Sequence, residues 1–143
     1  NIENMTNEQL ATEYGEMAAR ALNFLYDKLV SLPDITDAVK QNVKTERETI
    51  FATLVPIIKK FNTMGDDDKQ TFKRTMSLAM LEKVDDIADR SAAFQSALET
   101  LSATPDQNFV MDVLSLYVVT SFLEEGAFDD EDAPPLLAHV GLE

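Results

Sequence analysis

Apolar residues at Leu10, Tyr14, Met17, Ala21, Phe24, Leu25 and Leu29 recur every three or four positions, the period of a helix with one buried face. Thr6 and Gln9 have capping-box spacing, and Met5 with Leu10 that of a hydrophobic staple, so the pattern predicts a helix over about residues 7–31. Pro33 cannot continue it, and 31–36 reads as a short turn that sends the next helix back antiparallel. Ile35, Val39, Val43, Ile50, Leu54, Ile57, Ile58 and Phe61 carry the period through a second region, with a polar gap from Lys44 to Thr49. Thr45 and Glu48 repeat the capping-box spacing inside that gap, which leaves one helix or two open. Pro56 removes the hydrogen bond to the carbonyl of Ala52 and predicts a kink costing about 3 kcal/mol. The kink either wraps the helix around the core or leaves a carbonyl that lines a ligand cavity.

Met64, Gly65 and Asp66 to Asp68 read as a helix stop, with the glycine in left-handed C-cap geometry, followed by an acidic helix start. Phe72, Met76, Met80, Val84, Ile87, Ser91, Phe94, Leu98 and Leu101 then keep an unbroken rhythm, predicting one long helix broken or bent near Arg90. Thr104 as N-cap, Pro105 at the first helical position and Gln107 in a capping box mark another start. From there to about Glu125 nearly every face is apolar, the pattern of a helix surrounded by others or facing a second subunit. Gly126 ends it, and an acidic tail with Pro134 and Pro135 follows. The expected fold is therefore all-α: a single-domain antiparallel bundle of four to six helices with a central apolar helix and an acidic C-terminal tail. Residues 1–126 form the bundle and 127–143 the tail.

Composition narrows the function more than the fold. The chain has 143 residues, 26 Asp and Glu against 12 Lys and Arg, a formal net charge of -14 and no cysteine. That charge repels a phosphate backbone, so no direct nucleic-acid binding is expected. Without cysteine there is no disulfide framework, thiol nucleophile, iron–sulfur cluster or common structural zinc site. The four glycines, at 15, 65, 126 and 141, are isolated and cannot build a phosphate-cradling loop, and the one histidine, His139, lies in the tail. The apolar run from Phe109 to Leu123 is shorter than the roughly 20 residues of a membrane span. Asn1 to Gln9 lack a signal-peptide pattern; the expected location is cytoplasmic, with export of a mature chain left open.

Two carboxylate pairs, Glu13-x-x-Glu16 and Glu82-x-x-Asp85, have the one-turn spacing that lets a helical bundle hold magnesium. In these four residues the chain resembles the paired motifs of all-α nucleotide pyrophosphatases, with the two pairs much further apart than in that family. The resemblance implies a carboxylate-metal nucleotide hydrolase, whereas Arg20, placed to pair with Glu16 across one turn, speaks for an ordinary solvated face.

Charge placement carries the main functional expectation. No Lys or Arg follows Arg90, whereas ten acids do, with the densest part at Glu124, Glu125, Asp129, Asp130, Glu131 and Asp132 beside Phe128. Those seven residues are the expected partner-binding segment. The expectation is a non-catalytic acidic interaction protein (a regulator, inhibitor, immunity-type protein or adaptor) that binds a protein partner with a basic surface and needs no cofactor or metal. A homodimer through the 105–125 helix is the second partner expectation. The alternative function is a small-molecule-binding bundle with its pocket near Pro56.

Overall fold

The computed structural model describes residues 2–30, 35–85, 87–103 and 105–121. After a 3-10 turn at Ile2–Asn4 come five α-helices: α1 (Asn7–Leu25), α2 (Asp37–Phe61), α3 (Asp66–Lys83), α4 (Ile87–Ser102) and α5 (Gln107–Ser121). No strand occurs among the described residues. The capping box is present: Thr6 Oγ1 accepts from Gln9 N at 3.1 Å, and Gln9 Oε1 accepts from Thr6 N at 2.8 Å. Thr36 caps α2 with a single bond, its Oγ1 accepting from Val39 N at 3.2 Å.

Two pairs of helices run in the same direction, α1 with α3 and α2 with α5. Along α1 and α3 the matched positions advance together, from Tyr14 beside Phe72 to Asn23 beside Lys83 and Asp85. Along α2 and α5 they do so from Lys40–Asp106 to Arg47–Asp112. From Phe109 to Val119 every residue of α5 is buried or half-buried, as an all-round apolar helix requires. It shares the centre with α1, which packs on α2, α3 and α5. Small residues make this close packing feasible. Gly15 faces α3 so tightly that a Cβ there would lie 2.4 Å from the carbonyl oxygen of Met76 and 2.7 Å from the Cβ of Ala79.

Two aromatic groups join the elements. Phe72 of α3 meets Tyr14 of α1 edge-on at 6.3 Å between ring centroids and Phe61 of α2 at 5.1 Å. Phe94 of α4 lies 5.3 Å from both Tyr26 and Tyr117. Each pairing adds about 0.5–1.5 kcal/mol beyond the area it buries.

Several local expectations are corrected. Past Leu25 the first helix continues as a π-helical segment, Tyr26–Val30, with i→i+5 hydrogen bonds. α2 runs unbroken through Lys44 to Thr49, with no restart at Thr45. Gly65 is extended, at φ -72° and ψ 167°, and acts as the N-cap of α3, while α2 ends in a right-handed turn at Asn62. The three aspartates occupy the first turn of α3, where the helix dipole favours them. The break in the third apolar run falls at Val84, not near Arg90, and Ser91 lies inside α4. Asn23 of α1 fixes the break by donating to the Lys83 carbonyl at 2.9 Å and accepting from Asp85 N at 3.0 Å. At α5 the cap is Asp106, whose Oδ1 accepts from Phe109 N at 3.1 Å, so Pro105 precedes the cap instead of opening the helix. Thr104 lies outside the described residues.

Candidate functional site

The seven tail residues expected to bind a partner, Glu124, Glu125, Phe128, Asp129, Asp130, Glu131 and Asp132, lie outside the described residues, as do His139 and the 127–143 boundary. Of the two carboxylate pairs, Glu16, Glu82 and Asp85 are exposed and Glu13 is half-buried. Among the described residues no three acidic or histidine side chains come together as a metal site. Arg20 does not pair with Glu16. It reaches across to α2, with Nη2 at 2.9 Å from Glu46 Oε1. Pro56 and Ala52 lie on the exposed side of α2, so the carbonyl that the proline frees opens away from the core.

A cleft of about 360 Å³ lies elsewhere, between the end of α1, the π segment and the first half of α2. Arg20, Phe24 and Lys28 line one wall, and Asn42, Thr45, Glu46 and Thr49 the other. The local conformations explain why these residues converge. Positions 42, 45, 46 and 49 share one face of an α-helix. On the opposite wall Arg20 and Phe24 are one turn apart, and the wider π turn keeps the next residue four positions on, Lys28, close to the same line. The same segment buries Tyr26 and Leu29 in the core and turns Asp27 to Arg90 of α4, which also stands 5.2 Å over the Tyr26 ring. One irregular turn thus docks α4 and lines the cleft.

The polar gap of α2 thereby gains a structural reason. Thr45, Glu46 and Thr49 face the cleft, Lys44 and Glu48 are exposed, and Arg47 turns to α5. Arg47 Nε lies 2.8 Å from Asp112 Oδ1, at side-chain exposures of 15% and 9%; its N–H is not aimed at that oxygen, so the contact is electrostatic more than a directed hydrogen bond. Six residues before Asp112, Asp106 binds Lys40 at 2.9 Å. The Lys40 ammonium, with help from the Phe109 N–H, holds the Asp106 carboxyl below its ordinary value. The acid that caps α5 and the acid within it, Asp106 and Asp112, are therefore paired with cations of α2. Tyr14 Oη donates to the Val119 carbonyl at 3.4 Å near the other end of α5, and burial pushes its phenol pKa far up.

Comparison with protein families, with curated proteins and with solved structures finds no match for this chain. Among the described residues no helix is long and apolar enough to cross a membrane.

Sequence reasoning missed the cleft. Its only signal was the polar gap, which left one helix or two open, and nothing in the composition of Tyr26 to Val30 announces a π turn.

Proposed function

We propose that this chain is a non-catalytic helical interaction protein that recognises a basic surface on a protein partner, as a regulator, inhibitor, immunity-type protein or adaptor in the cytoplasm does. The observation that supports the reading is how charge is paired on α5. Asp106 and Asp112 draw their cations, Lys40 and Arg47, from α2. The acids beyond, Glu124, Glu125 and Asp129 to Asp132, have no Lys or Arg in their own part of the chain. Their counter-charge comes from ions, from earlier parts of the chain, or from a partner, and a net charge of -14 favours a partner rich in cations. Phe128 beside the run adds an apolar contact, since charge steers encounter more than it sets affinity.

Affinity capture with the full chain tests this, using the wild type and a variant with Asp129→Asn, Asp130→Asn, Glu131→Gln and Asp132→Asn. The expected result is a basic protein that the wild type holds at low salt and releases at high salt, and that the variant associates with more slowly. Capture indifferent to salt and to the substitutions overturns the reading.

A further inference from the structure

We propose that the cleft between α1, the π segment and α2 is a binding site for a small organic anion with an apolar body, of the aromatic carboxylate class. Three features of its walls select that chemistry. First, the charge of the cleft is opposite to that of the molecule: Arg20 and Lys28 against the single carboxylate of Glu46, in a chain of net charge -14. Glu46 occupies only one terminal nitrogen of the Arg20 guanidinium, and Lys28 forms no ion pair among the described residues. Donors for an anion are therefore in place. Second, Phe24 is half-buried in the same wall, one turn from each cation, and offers its remaining surface to a flat apolar group. Third, the facing wall is polar without charge of its own beyond Glu46. Thr45 Oγ1 already accepts from Gln41 Nε2 at 3.2 Å, which leaves its O–H to donate, and Asn42 and Thr49 add further donors.

The volume, about 360 Å³, lies in the range of small-molecule sites and suits a ring with one carboxylate. Because the cleft is open to solvent, one side of the ligand stays wet, and an affinity of about 1 mM is expected for a minimal probe. None of the lining residues belongs to the acidic run substituted in the partner test, so the two tests fail separately.

The experiment is a titration of the full chain, followed by the backbone amide signals in nuclear magnetic resonance, with benzoate, acetate and inorganic phosphate as probes. Benzoate is expected to shift signals from residues 20–28 and 42–49 in a saturable way, more tightly than acetate or phosphate. Lys28→Gln is expected to weaken it about three- to five-fold, the loss of one solvent-screened charge contact. Lys28→Arg restores binding, and Lys44→Gln, the same charge change at an exposed α2 position outside the cleft, leaves it unchanged. The amide spectrum of each variant reports its folding directly. Absence of saturable shifts at these residues overturns the proposal, as does equal weakening by Lys44→Gln. Equal binding of phosphate or acetate overturns the recognition of an apolar body.

Discussion

Gly15 is where one atom decides the packing of two helices. With 2.4 Å between its virtual Cβ and the Met76 carbonyl oxygen, Gly15→Ala cannot be accommodated by rotating a side chain; α1 and α3 must move apart. A loss of about 1–3 kcal/mol is expected in chemical denaturation, at the upper end because backbone is displaced. Arg47 is a second such position. Arg47→Met removes the cation 2.8 Å from the largely buried Asp112 carboxylate, with an expected cost of about 3–5 kcal/mol, whereas adding Asp112→Leu recovers much of it. Asp106 tests the remaining ion pair through pH. Its carboxyl titrates below the ordinary value of 3.8 because Lys40, and after it the Phe109 N–H, favour the ionised form. The stability it adds is thus fully present above the ordinary carboxylate range and disappears as pH falls through the lowered value. Asp106→Asn keeps a good N-cap but removes the charge, so its stability is expected to depend less on pH than that of the wild type below about pH 4. Equal pH dependence in both proteins would show that Lys40 contributes nothing there. The Thr6 and Gln9 cap was legible because both partners lie within one turn. Gly15, Arg47 and Asp106 were not, because their partners lie 61 to 66 positions away along the chain.

Among the elements, α5 was the easiest to recognise and α1 the easiest to underrate. A helix apolar on nearly all faces has to be surrounded, and Leu116, fully buried, lies at its centre. Leu116→Ala is expected to cost about 2–5 kcal/mol in thermal or chemical unfolding. Unchanged stability with an altered oligomeric mass would place that face at a subunit interface instead. The central position of α1 was hidden because it is built from Ala11, Gly15, Ala18 and Ala19, small residues that a hydrophobic pattern reads as neutral. The third apolar run shows the opposite difficulty. Its rhythm passes through the break at Val84 without slipping, since the same core claims residues on both sides, and the Asn23 side chain that satisfies the exposed backbone groups comes from 60 positions earlier. The π segment belongs to this class too: Tyr26 against Phe94, Asp27 with Arg90 and Leu29 buried in the core hold a turn that local propensity does not favour.

For the whole molecule, the described core runs from Leu10 to Val119, and the sequence of 127–143 lacks a helical apolar period. Removing residues 127–143 is therefore expected to leave the melting temperature almost unchanged; a large fall would count them into the cooperative unit. The amino-acid sequence by itself determined that the chain is helical, where most helices begin, and which faces enter the core, because caps and apolar periods act within a turn or two of backbone. It also determined the net charge and the absence of cysteine chemistry. Only the tertiary structure decided which helices approach most closely, where the third run breaks, that the α5 acids find cations on α2, and that a polar gap becomes the wall of a cleft. Those outcomes depend on pairs of side chains tens of positions apart, whose distances are set by the packing of all five helices together.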